Sequence, residues 1–218
     1  MKRLLNRIQR GRARSLVSTD EGGGGSDESR FFSSMFQEPV EDSQARASWR
    51  ARAAEVGAVP FDRAAGTALF VQAWSTDRHV MALKPDELQR MSQYLDFVKV
   101  PANKEVIGQD ELGDYMLVVL EGTLAVDRVQ PWGTRARLAE AHAGDMLGEM
   151  SLLDAGARFS SCLTLSPCTL GVVDARRLDE MIAAEPRLGV ALLASLSRRL
   201  SLRLRNVSAR LSALLSQN

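Results

Sequence analysis

The sequence predicts an α+β chain in which helices flank a central β-sandwich or barrel, and three observations carry that expectation. Between Leu95 and Asp174 the apolar residues fall into short runs separated by breakers, the pattern of many short strands. Before and after that stretch the spacing changes to that of helices. Towards the C-terminus Leu193, Leu196, Leu200, Leu204, Val207, Leu211 and Leu214 follow one another in steps of three and four, close to a coiled-coil seam.

Residues 1–45 read as a poorly ordered tail. A basic head (Lys2, Arg3, Arg7, Arg10, Arg12, Arg14) is followed by Gly22-Gly23-Gly24-Gly25-Ser26 and by Asp20, Glu21, Asp27, Glu28, Glu38, Glu41 and Asp42. So little apolar surface cannot offset the entropy of ordering. Phe31, Phe32, Met35 and Phe36 form an apolar island that either docks on the domain or a partner, or stays disordered with its surroundings. The glycine run lacks the Gly-Lys-Ser/Thr and the preceding strand of a phosphate loop, so it reads as a linker.

Residues 46–94 read as a helical segment. An Ala/Arg-rich run spans Ala47 to Ala54, Pro60 opens a second stretch through Trp74, and Pro85-Asp86-Glu87-Leu88 starts a third. Proline in a first turn and acids against the dipole both favour that start. Residues 95–174 hold the strands: Phe97–Val100, Tyr115–Leu120, Leu124–Val126, Arg135–Glu140, Ser161–Leu165 and Cys168–Val173. Residues 175–218 are helical again. Asp174 is a plausible N-cap, Glu185-Pro186 breaks the first helix, and the last runs from about 187 to 215, roughly 40 Å at 1.5 Å per residue.

Composition bounds the function classes. The chain has 218 residues, 45% of them hydrophobic, and a net charge of +1, which gives one domain with appendages and no global case for nucleic acid. Two cysteines, Cys162 and Cys168, lie in strand-like stretches and read as buried thiols rather than a disulfide framework. No run of about 18 apolar residues and no apolar core of a signal peptide is found, so the expected address is cytoplasmic.

The chemistry concentrates in Gly148-Glu149-Met150-Ser151-Leu152-Leu153-Asp154-Ala155-Gly156-Ala157-Arg158-Phe159-Ser160-Ser161. A guanidinium suits a semi-buried phosphate, because its planar fork directs two charge-assisted bonds. The remaining phosphate oxygens suit backbone N–H groups at the start of a helical turn. Gly148 allows close approach, and Ser151 and Phe159 offer N–H groups whatever their side chains. Glu149 can accept from a ribose hydroxyl, and a buried Glu needs a cation beside it, for which Arg158 is the candidate.

These residues resemble the phosphate-binding cassette of the cyclic nucleotide-binding domain family, and Gly113-Asp114-Tyr115-Met116-Leu117-Val118-Val119-Leu120-Glu121-Gly122 is similar to that family's second glycine-punctuated strand. The resemblance covers residues ~95–217. It implies an eight-stranded β-jelly roll (double-stranded β-helix) flanked by N-terminal helices and a long C-terminal helix that folds over the bound base. It implies the ligand cAMP or cGMP, with no other cofactor and no metal. Glu149 would take the ribose hydroxyl, Arg158 the phosphate, and Gly148, Ser151 and Phe159 would give N–H groups; Ser160 would line the phosphate pocket, and Met150 lies in the same turn. Three positions depart from the pattern. Asn103 stands where glycine is frequent, but tolerates a left-handed turn. Phe159 replaces a small residue, so its ring crowds or caps the purine. Ser161 sits where some members carry a threonine that favours cGMP, which leaves the base open.

No nucleophile with a base appears, and His79 and His142 have no second ligand at metal spacing, so a non-enzyme is expected. The transcription-factor members carry a helix-turn-helix after the long helix, for which no residues follow Asn218, so nucleic acid is an unexpected partner. A homodimer or a partner protein is expected at helix 187–215. The alternatives are a ligand-independent interaction scaffold with an inactive pocket, and a regulator recruited by weak contact of residues 1–14 with an anionic membrane or an acidic partner.

Overall fold

The computed structural model describes residues 30–36, 47–75 and 83–216. The expectations for the basic head, the glycine run, the acidic residues 20–42 and His79 lie outside the described residues. Two antiparallel sheets face one another. The first has the order β1 (Val59–Pro60), β2 (Asp96–Val100), β9 (Cys168–Asp174), β4 (Tyr115–Glu121), β7 (Met146–Leu147); the second has the order β3 (Glu105–Ile107), β8 (Ser161–Thr164), β5 (Leu124–Val129), β6 (Arg135–Ala141). This is the jelly roll expected for the central segment.

The strand β4 is apolar at nearly every position because both of its faces are covered. Leu117 and Val119 point into the sandwich with Val98, Val106, Leu124 and Leu170. Met116, Val118 and Leu120 point the other way, into a second core shared with the helices. That core takes Phe70 and Trp74 from α3 (Arg63–Ser75), Leu88 and Met91 from α4 (Pro85–Met91), Leu178 and Met181 from α6 (Ala175–Ala184) and Leu188, Leu192 and Leu196 from α7 (Pro186–Leu215). Burying both faces of a strand in this way favours a near-continuous apolar run over alternation.

Several local expectations change. Pro60 does not open a helix; it lies in β1, opposite Val98, and the helix after it begins beyond Asp62, whose Oδ1 accepts from Ala65 N at 2.8 Å. The short strands β1, β3 and β7 were not expected, being too brief to show a period. Asn103 does adopt the left-handed conformation, with φ 60°. Asp174 does cap α6, accepting from Arg177 N at 2.8 Å. The apolar island docks on the domain as α1 (Phe31–Met35). Phe32 and Phe36 enter the helical core, and the Asp179 carboxylate accepts from Phe32 N and Ser33 N at 2.8 and 2.7 Å. Cys162 and Cys168 are free and buried.

The cassette lies where the two sheets meet. The edge strand β7 ends at Leu147 and β8 begins at Ser161, so residues 148–160 bridge the sheets, and a short helix α5 (Glu149–Asp154) forms the first half. No described helix is long and apolar enough to cross a membrane.

Candidate functional site

The site is built from the turn at Gly148. This residue has φ +81°, which L side chains rarely adopt, and a Cβ there would come within 2.6 Å of Arg158 Nη1. A Cβ on Gly113 would come within 2.6 Å of Arg158 Nη2. Two glycines from opposite sides therefore leave the space that the guanidinium fills. Within that space Arg158 Nη1 donates to Gly148 O at 2.7 Å and Nη2 to Tyr115 O at 2.6 Å, and Cζ lies 4.7 Å from the centre of the Tyr115 ring.

The Arg158 backbone is equally constrained. Its N–H donates to Glu111 O at 2.7 Å and its carbonyl accepts from Asp110 N at 2.8 Å. Behind the site, Trp49 of α2 (Trp49–Val56) packs edge-on against Tyr115, with ring centres 5.4 Å apart. Arg52 of the same helix donates to Glu111 Oε1 at 2.6 Å. Glu111 is thus part of the support for the cassette.

Glu149 and Arg158 are both buried, at 4% and 2% exposure, but they do not form the expected ion pair. The cation on Glu149 is Arg203 of α7, whose Nη1 bonds Glu149 Oε1 and whose Nη2 reaches Met146 O at 3.3 Å. Arg158 gives two of its five N–H donors to carbonyls, and among the described residues no carboxylate lies at ion-pair distance from it. Burial pulls its pKa below the usual arginine value, against the opposing influence of Tyr115, Cys162, Asp114 and Glu111. A buried cation held by neutral oxygens is a receptor for an anion, because an anion recovers the solvation that burial removes. The same burial drives the Cys162 thiol up to about 12, so it carries no charge beside the cassette.

The other expected residues occupy different environments. Ser151 is buried in the first turn of α5, while Met150 faces solvent. Phe159 is 55% exposed and its ring carries the guanidinium of Arg128, 4.2 Å from the ring centre; the same guanidinium bonds Phe159 O. Ser160 is half-buried. Ser161 opens β8 with its hydroxyl on Asp127 O at 3.3 Å, so it is tied to the sheet.

Four residues of the site had not been assigned to it from sequence: Gly113, Tyr115, Arg128 and Arg203. Arg203 had a usable signal. The buried stripe Leu188, Leu192, Leu196 continues in helical steps onto Arg199 and Arg203, and both reach the domain, Arg199 at 3.8 Å from Asp145.

A model of the cyclic nucleotide-binding domain family matches residues 97–185. The CRP-like cAMP-activated global transcriptional regulator of Mycobacterium tuberculosis is 30% identical over 118 residues, 54% of this chain and 53% of that protein. The chain thus spans about half the length of the curated relatives it matches. Among solved structures, the catabolite activator protein of Thermus thermophilus superposes with TM-score 0.56 at 28% identity, over 63% of each chain. A cyclic nucleotide-binding domain from Methylobacillus flagellatus superposes with TM-score 0.63 at 23% identity, over 70% of this chain and 86% of that one. The latter likeness is one of fold.

Proposed function

We propose, on the premise that residues 97–185 belong to the cyclic nucleotide-binding domain family, that the chain binds a cyclic mononucleotide, cAMP or cGMP, at Glu149 and Arg158 and reports it through α7. The observation that carries this reading is the Arg158 guanidinium, buried and held by two carbonyls. In this reading Arg158 takes the cyclic phosphate and Glu149 the ribose hydroxyl. Gly148, Ser151 and Phe159 supply backbone N–H groups, Ser160 and Ser161 line the phosphate side, and Met150 lies at the mouth. Binding is regulatory rather than catalytic.

The report to α7 rests on the Arg203–Glu149 pair. A ribose hydroxyl at Glu149 meets a carboxylate already bonded to α7, so ligand and helix are coupled through one side chain. A ligand shifts the position of the helix only by its differential affinity for the two positions. The mycobacterial relative is a transcriptional regulator by name; here the exposed seam of α7 supports a protein contact as the output, by a second copy or a partner. The same Arg203–Glu149 pair also favours a second reading, in which Arg203 fills the ribose position and the fold is a scaffold that needs no ligand.

Calorimetric titration with cAMP and cGMP separates the two. Wild type is expected to bind at least one of them, and Arg158→Ala to lose at least about 2 kcal/mol, as truncation of one partner of a buried charge contact does. Binding of neither ligand supports the scaffold instead; equal affinity in both proteins, with the fold retained, removes Arg158 as the phosphate contact.

A further inference from the structure

Helix α2 lies outside the matched residues 97–185, yet it braces the site from behind. Its start is set by Ser48, whose Oγ accepts from Ala51 N at 3.4 Å, and its end by Gly57 in the left-handed conformation. Trp49, Arg52 and Val56 follow in helical steps on one face. Val56 enters the sandwich core, Trp49 packs on Tyr115, and Arg52, 6% exposed, carries a charge inside. Just before the helix, Ala47 N donates to Leu112 O at 2.8 Å.

These contacts converge on the loop between β3 and β4. Arg52 Nη2 donates to both oxygens of the Glu111 carboxylate, at 2.6 Å to Oε1, and Nη1 to Glu55 Oε2 at 2.8 Å. Burial opposes the charge on Arg52, but Glu111, Tyr115 and Glu55 outweigh it and hold its pKa above the usual arginine value. Glu111 also accepts from Gly108 N at 3.2 Å, which folds its side chain back over the loop. Asp110 adopts φ 63° there, a conformation uncommon for a residue with a Cβ and kept where neighbours hold it. The Asp110 N–H and the Glu111 carbonyl are the two groups that clamp the Arg158 backbone, and the Tyr115 carbonyl takes its guanidinium. Backbone and guanidinium therefore both lean on residues that α2 braces. We propose that Arg52 is a positioning residue for the nucleotide phosphate: through Glu111 it keeps loop 108–112 in the shape that sets Arg158. This rests on Arg158 being the phosphate contact, and it adds a helix beyond the matched residues to what determines affinity.

The test measures cAMP and cGMP affinity by calorimetry, and hydrogen exchange at single amides, in the full chain. Arg52→Met keeps the buried stem without the charge and leaves Glu111, 34% exposed, to water. It is expected to fold and to bind about tenfold more weakly, the scale of a misplaced charge-assisted contact. Arg52→Lys keeps a point charge without the fork and should recover part of the loss. Exchange at the Asp110 and Arg158 amides should rise in Arg52→Met while β4 and β9 stay protected; a general loss of stability would raise all of them together. Glu111→Gln should also lower affinity, and the double variant Arg52→Met/Glu111→Gln no further than the larger single, because both act through one contact. Full affinity in a folded Arg52→Met, losses that add in the double variant, or weaker binding with Arg158 exchange unchanged would overturn the proposal. Should Arg52→Met fail to fold, the affinity and exchange of Glu111→Gln decide by the same outcomes. Wild type that binds neither nucleotide removes the reading of the pocket itself. Wild-type binding that Arg158→Ala weakens and Arg52→Met leaves intact removes this inference alone.

Discussion

Arg158 shows how much of a site one side chain can demand of its surroundings. Its guanidinium is planar and always charged, so a buried place for it needs acceptors in two directions and room for the group between them. Gly148 and Gly113 provide the clearance, and the carbonyls of Gly148 and Tyr115 provide the acceptors. Gly113 is the more telling of the two, because its backbone is not among those with positive φ; alanine there changes only the space. Gly113→Ala is therefore expected to fold and to displace the guanidinium from its carbonyls, with cyclic nucleotide affinity falling by tenfold or more. A misplaced charge-assisted contact costs about 1.5–3 kcal/mol. Titration beside a thermal melt checks this: unchanged affinity in a well-folded variant would show that the clearance is not what sets the arginine.

At the scale of elements, two carboxylates each anchor a helix by a polar contact. Glu149 draws in α7 through Arg203, and Asp179 of α6 draws in α1 by accepting from the N–H groups of its second and third residues, Phe32 and Ser33. A five-residue helix has almost no stability alone, so its place depends on this cap and on Phe32 and Phe36 in the core. Asp179→Ala is expected to raise hydrogen exchange at Phe32 and Ser33 strongly while leaving β4 and β9 protected; unchanged exchange at those two amides would refute the cap. Legibility in the sequence differs by element for physical reasons. Long strands and helices announce themselves, β4 and β9 by apolar runs and α7 by its helical period. The two-residue β1 and β7 have no period, and Pro60 misleads because proline suits an edge strand as well as a first helical turn. The site was legible wherever a backbone turn and a charge stood together, as in Gly148-Glu149. It was not legible where partners are non-local: Arg203 lies 54 residues from Glu149, and only the face it shares with Leu192 and Leu196 hinted at the pair.

For the molecule as a whole, the junction of the two sheets is a place where burial sets the charge state, and this fixes how stability responds to pH. Tyr115 lies there at 1% exposure, its hydroxyl donating to Val106 O at 2.7 Å. Burial raises its pKa from 10.0 to about 12, with Arg158 opposing the rise. Cys162, on β8 of the facing sheet, rises from 9.0 to about 12 for the same reason. Both groups are neutral when protonated, so the folded chain holds its protons to higher pH than the unfolded chain does. The stabilisation they give is complete below the unfolded values and is lost as pH climbs towards the folded ones. Denaturant unfolding should thus show no loss from these two groups below pH 9 and a progressive loss between pH 9 and 12. Tyr115→Phe should lose about 1 kcal/mol at neutral pH, because Val106 O loses its donor, yet fall less steeply above pH 10. Cys162→Ala should remove the part of the decline that begins near pH 9. If both variants kept the wild-type slope across that range, the alkaline loss would have to come from elsewhere in the chain, and the sheet junction would not be the point at which pH acts on the fold.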